Sequence, residues 1–186
     1  MKSDNVAQKI RHRIVRVWQS YFPKPLTQYE HIRVKRYLDK NGLTSLFYSQ
    51  PLCDQRHGFL VYDRCTKLFE EIEDSPTDEE LFITSTLHDV SKKDSCFSVT
   101  QRVAAATIVS FIPLPKLRTI FGPNSKITKR VELYADHSSL SWKYISETYQ
   151  SDFVREATLL HHETDEVIDE SKQANNVRIF IEADTL

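Results

Sequence analysis

The chain has 186 residues, 40% of them hydrophobic and 27% charged, with a formal net charge of -1, a composition that fits one globular domain with a core of its own. No apolar run approaches the roughly 20 residues of a membrane span, and the opening Met-Lys-Ser-Asp-Asn-Val lacks the apolar stretch of a secretory leader, so a cytoplasmic protein with no membrane partner is expected. The three glycines, Gly42, Gly58 and Gly122, stand too far apart for a phosphate-cradling loop or a dinucleotide fingerprint, and the three cysteines, Cys53, Cys65 and Cys96, include no Cys-x-x-Cys pair and read as reduced packing residues.

In chain order, Ile10, Ile14, Val17, Trp18 and Tyr21 recur at helical spacing and predict a first amphipathic helix with Lys9, Arg13 and Arg16 off its apolar stripe. Residues 1–41 hold 10 Lys or Arg against 3 Asp or Glu, leaving 15 against 23 in the remainder. This basic front end reads as a solvated helix face, and nucleic acid is not expected as a partner. Turn residues break the pattern near 23–25, 41–42, 49–53, 74–77, 113–115 and 122–124. Between them Val61, Cys65, Leu68, Phe69 and Ile72 predict one helix, and Thr77-Asp-Glu-Glu80 has the form of a capping box ahead of Leu81. Further helices are expected near 99–111, 126–148, 152–166 and 175–185. Strand-like alternation is scarce, so the fold class is all-α, a compact bundle of about six to eight helices.

Several metal-competent side chains fall on these apolar stripes, where a lone polar group is costly to desolvate. His57 extends the stripe of Val61 and Cys65. His88, with Asp89 beside it and Lys92 one turn on, continues Leu81 and Thr84. His137 is read in register with Leu133, Leu140 and Tyr144, His161 with Val154, Ala157 and Thr158, and Asp184 with Val177, Phe180 and Ile181. A single inward histidine is more often a hydrogen-bonded core residue than a ligand. Five such positions on separate helices favour a shared cation, because separate core histidines would each need a polar partner. Imidazole with carboxylate suits iron, manganese, cobalt, nickel, zinc or magnesium. His12 and His31 read as solvent-facing or locally hydrogen-bonded and receive no role.

The ordered set Gln55-Arg56-His57, Leu87-His88-Asp89-Val90-Ser91-Lys92, Asp136-His137, Leu160-His161-His162-Glu163 and Ala183-Asp184 resembles the HD-domain metal-dependent phosphohydrolases across residues 50–186. The resemblance implies one HD-like domain over 1–186, with 1–49 a basic helical lead packed on a metal-binding core of 50–186. It implies one or two divalent ions, the first held by His57, His88, Asp89 and Asp184, the second by His137 and His161 or His162, with Asp89 bridging. Three departures stand out. Ser91 replaces the family's common glycine, Asp184 lies close to the end of the sequence with Asp165 or Asp169 as fallbacks, and the adjacent His161 and His162 would point about 100° apart on a helix.

Carried over, the activity is hydrolysis of a phosphoester, a nucleotide or related small molecule, by a metal-activated hydroxide. Asp89, Lys92 and His162 would be catalytic, Arg56 and Lys92 would neutralise substrate phosphate, and His162 or Glu163 would protonate the leaving oxygen. The same ligand order resembles HD-type di-iron oxygenases, and a non-catalytic HD fold that senses a nucleotide or supports an assembly is the third reading. Thr164-Asp165-Glu166 stands where a Gly-Tyr-Pro would mark a cyclic-dinucleotide enzyme.

Overall fold

Five of the described helices start on a side chain that accepts from an otherwise unbonded amide group. Thr27 and Glu30 bond reciprocally across the first turn of α1 (Gln28–Leu38), and Thr77 with Glu80 and Ser98 with Gln101 repeat the capping box ahead of α4 (Asp78–Leu87) and α5 (Val99–Phe111). The remaining helices are α2 (Thr44–Tyr48), α3 (Leu52–Leu68), α6 (Leu114–Phe121), α7 (Lys126–Ala135), α8 (His137–Ser146), α9 (Asp152–Leu160), α10 (Asp165–Asp169) and α11 (Ala174–Thr185), with 3-10 turns at Asp39–Asn41 and Val90–Ser95. This computed structural model describes residues 21–185. The first apolar stripe, from Ile10 to Trp18, and His12 lie outside the described residues, while Tyr21 at their edge is exposed.

The all-α class holds, with no strand among the described residues. There are eleven α-helices there against an expected six to eight. Two of the additions have five residues each and are too short to show a period. A third arises because the segment expected at 126–148 breaks at Asp136, whose φ of -93° and ψ of 16° leave the helical region.

The break resets the phase of the helix that follows. His137 is buried as expected, but on a stripe with Ser141 and Ile145, while Leu133 is exposed and Leu140 and Tyr144 are only partly covered. Ile72 is also misread: α3 ends at Leu68 and Ile72 lies beyond it, exposed. All three cysteines are free thiols, and burial raises Cys53 to about 11 and Cys65 to about 12. Cys96, by contrast, is exposed in a left-handed backbone conformation and packs no core.

The core is built on α3 against α4. Phe59 meets Phe47 and Phe82 edge to face, with ring centroids 6.1 and 5.6 Å apart. α11 lies on α3, α9 lies on α4 and α11, and the Val90–Ser95 turn packs on α7 and α8. The C-terminal end of α4 is therefore the crossing point of the molecule. α1 and α2 add Val34, Leu38 and Phe47 to the same cluster.

Gly58 sets how closely α3 and α4 approach. A Cβ there would sit 2.7 Å from Thr86 Cα and 3.0 Å from the Ser85 carbonyl oxygen, both backbone atoms that cannot swing aside. The contact lies one residue from His57 and two from His88, so it also sets the spacing of those rings. Gly58→Ala is expected to lower stability by about 1–3 kcal/mol in urea unfolding, overpacking outweighing the about 1 kcal/mol that alanine adds to a helix. A variant as stable as the parent would show that the two helices are not in contact there.

Candidate metal centre

Helix C-termini leave backbone carbonyls without an amide partner, and three helices here use them alike. His88 follows the last residue of α4, and its Nδ1 lies 3.1 Å from the Ser85 carbonyl. His137 follows the end of α7 with Nδ1 2.7 Å from the Tyr134 carbonyl, and His161 follows α9 with Nδ1 2.8 Å from the Thr158 carbonyl. A carbonyl only accepts, so each Nδ1 carries the proton and each Nε2 turns a lone pair inward. The doublet expected within a helix thus lies at a helix end, with Asp89 at φ -106° leading into the 3-10 turn. Ser91 serves that turn, donating its hydroxyl to the His137 carbonyl at 2.8 Å.

Those lone pairs converge on Asp89. Its Oδ1 is 3.2 Å from His137 Nε2 and 3.4 Å from His161 Nε2. Its Oδ2 is 3.5 Å from His88 Nε2 and 2.5 Å from Lys92 Nζ. His57 and α11 complete the near side: Asp184 Oδ1 stands 2.9 Å from His57 Nε2 and 3.6 Å from His88 Nε2. His162 Nε2 is 3.1 Å from His137 Nε2 on the far side. α9 ends at Leu160, and in the turn that follows the rings of His161 and His162 lie 4.0 Å apart, so both reach the cluster.

Two groups result, His57, His88 and Asp89, and Asp89, His137, His161 and His162, each with its donor atoms within 4.8 Å of one another. All seven metal-ligand candidates read from the sequence meet here, Asp184 included, which is buried in the last turns of α11. Asp165 and Glu163 are exposed, and Asp169 pairs with Arg178, so the fallback carboxylates and Glu163 stand apart from the cluster. His31 is exposed and bonds Tyr48, as a residue with a local role should.

The donors fit a cation. Two ligands about 2.1 Å from an ion and about 90–110° apart are separated by about 3.0–3.4 Å, close to the spacings around Asp89. His88 Nε2, Asp89 Oδ1 and His161 Nε2 are buried and make no hydrogen bond. Three orphaned buried polar atoms within one cluster are a large penalty, and one shared positive charge answers all three. The cluster can hold a metal ion.

The charges within it are segregated. Burial alone would raise the Asp89 carboxyl, but Lys92 and His88 override it and hold Asp89 well below the usual carboxylate range. Asp184 behaves alike, with burial opposed by the hydrogen bond from His57 and by the nearby His88. Burial opposes the charge on His88, yet Asp89 and Asp184 raise its pKa. On the far side burial lowers His161, and burial with the neighbouring His161 and Lys92 pushes His162 down to about 3. His161 and His162 are therefore neutral, as a metal ligand must be.

A cavity of about 190 Å³ opens beside Asp89 and His57 and is lined by Arg56, Arg64, Lys92, Arg102 and Tyr134, with Asp54. Arg56 donates to Glu30 at 2.5 Å, and Arg102 donates to both oxygens of Asp54 at 2.6 and 2.7 Å. Arg102, Asp54 and Tyr134 carry no sequence signal: no motif or shared period links them. Compared with protein-family profiles, curated proteins and solved structures, the chain matches none. The cluster is compatible with the HD-type arrangement that the sequence resembles.

Elemental analysis of protein purified without chelator is expected to find at least one transition-metal or magnesium ion per chain. Asp89→Ala, which removes the carboxylate common to both groups, should bring that content to background, and Glu163→Ala should leave it unchanged. Equal metal in the parent and the Asp89→Ala protein would rule out the cluster as the site.

Proposed function

We propose that the chain is a metal-dependent phosphohydrolase of the HD type, whose two donor groups, with Asp89 common to both, would hold two divalent ions, and whose substrate is a phosphoester of a nucleotide or related small molecule. One observation carries the reading: each carboxylate oxygen of Asp89 faces a different set of imidazoles. His57, His88 and Asp184 would hold the first ion, and His137, His161 and His162 the second. When bound, such ions supply the Lewis acidity that makes water nucleophilic near neutral pH.

The residues around the cluster supply the rest. Lys92 is held protonated at the cavity wall, since burial that would lower its pKa is outweighed by Asp89, and its ammonium can meet a phosphoryl oxygen there. Arg56 and Arg102, tethered by Glu30 and Asp54, present charge in fixed positions and so lose little freedom on binding an anion. His162, 3.1 Å from His137 at the far edge of the cluster, serves in this reading as a ligand. The four cations in the cavity wall favour an anionic phosphoryl group over the uncharged dioxygen of the oxygenase alternative.

Protein reconstituted with manganese or cobalt is expected to hydrolyse members of a panel of nucleoside monophosphates and p-nitrophenyl phosphate. His88→Ala combined with Asp89→Ala should abolish turnover, and Lys92→Ala should lower kcat/KM by about 10²-fold, the scale of one lost electrostatic contact to a transition state. Native-rate hydrolysis by the double variant would end the proposal.

The pH dependence has a definite sign. Binding of an ion requires a neutral His88, whose pKa is raised, so falling pH returns its proton at a higher pH than an ordinary histidine would take one up. His161 and His162 stay neutral over the same range. Protons should therefore compete with the ion for His88, and activity should fall on the acid side together with loss of metal measured after dialysis at each pH. Activity lost on the acid side with metal content unchanged would contradict the assignment of His88 as a ligand.

A further inference from the structure

The longest stretch of the chain without an acidic residue runs from 95 to 131, between Asp94 and Glu132, and it carries Arg102, Lys116, Arg118, Lys126, Lys129 and Arg130. Over the whole chain acidic residues outnumber basic ones, 26 to 25, so the segregation is local. The stretch folds into α5, α6 and α7, with α7 packed on both of the others. Three of its cations are engaged: Arg102 by Asp54, Arg118 by Glu132 at 2.6 Å, and Arg130 by the carbonyls of Ser95 and Cys96. Lys116, Lys126 and Lys129 are exposed.

The same lobe also displays apolar side chains that the core does not take. Phe111 is 82% exposed, Ile120 55% and Ile127 53%, and Val103 and Phe121 are about half exposed. α5 and α6 together are apolar enough to attract notice, but they meet at 113° and do not form a straight span. No helix among the described residues is long and apolar enough to cross a membrane. The bend instead sets Phe111 at the end of α5 and Ile120 and Phe121 at the end of α6, with Lys116 and Arg118 between them.

We propose that this lobe docks peripherally on an anionic phospholipid surface, the lysines meeting headgroup phosphates and carboxylates while Phe111, Ile120, Phe121 and Ile127 enter the headgroup–acyl boundary. Basic residues interleaved with exposed large apolar ones are what such an interface accommodates together. A phosphodiester backbone would satisfy the lysines while leaving the branched aliphatics in water. The inference is independent of the metal cluster.

The test is cosedimentation of the full chain with vesicles of phosphatidylcholine alone and of equimolar phosphatidylcholine and phosphatidylserine, at low salt and at about 0.15 M. Binding is expected to the anionic vesicles only, to weaken with salt, and to persist in a chelator. Lys116→Glu, Lys126→Glu and Lys129→Glu combined should weaken it by at least about tenfold, given several-fold per basic residue near such a surface. Phe111→Ser, Ile120→Ser and Phe121→Ser combined should do likewise, with far-UV circular dichroism checking that both variants keep the helical fold. A parent protein that stays in the supernatant, a variant set that binds as the parent does, equal binding to neutral vesicles, or tighter binding to a short DNA duplex would each overturn the proposal.

Discussion

A carboxylate buried among imidazoles at the crossing of the main helices is the constraint on which the rest of this structure depends. Taking Asp89 out of water would cost several kcal/mol without compensating charge, and no alkyl packing could offset it. Lys92 supplies part of the compensation at 2.5 Å, and the imidazoles of His88, His137 and His161 stand around the two oxygens. Such an arrangement is stable as a set and not by parts. The inward lone pairs of the imidazoles cannot balance the carboxylate themselves, so a cation shared by the whole set would complete the compensation that Lys92 begins.

That requirement explains where the helices end. An imidazole placed in mid-helix would have to find a partner for Nδ1 elsewhere, because the carbonyls beside it already accept from the helix. At a C-terminus the last carbonyls are free to accept, and His88, His137 and His161 each use one from their own or the preceding helix. One hydrogen bond thus caps the helix, fixes the tautomer and aims Nε2 inward. The histidines stand at helix ends because structural need and chemical need are met there by the same atom.

The sequence made some of this legible and hid the rest for identifiable reasons. His161 was readable because Val154, Ala157 and Thr158, its partners in the helical period, are all fully buried. His88 followed from Leu81 and Thr84 in the same way. His137 was found to face inward through the wrong neighbours, since periodicity cannot see that Asp136 interrupts the helix and shifts its phase. Asp184 looked doubtful by position alone, yet packing of α11 on α3 and α9 orders it, and packing is a property of distant segments. The contact of Gly58 with Thr86 and the pairing of Arg102 with Asp54 join residues 28 and 48 positions apart with no pattern linking them. Local periodicity therefore reported which way a side chain faced, and only the fold reported what it faced.

Charge is distributed over this molecule in a way that follows from the same constraint. The buried cluster keeps Asp89 and Asp184 ionised and sets His161 and His162 neutral, which reserves the interior for a small cation. The cavity beside it reverses the sign, with Arg56, Arg64, Lys92 and Arg102 in its wall, so an anion would be drawn beside a cluster that could hold a cation. α5 links this cavity to the outer face, because Arg102 turns toward Asp54 while Val103, the next residue, is exposed among the lysine-bearing helices. The cavity wall and the neighbouring outer face thus both carry basic side chains, Arg102 paired with Asp54 in the one and Lys116, Lys126 and Lys129 exposed on the other. In the proposed reading a phosphorylated substrate would be drawn toward the cluster by these cations, since one sign of charge lining a cleft raises the local concentration of the opposite one.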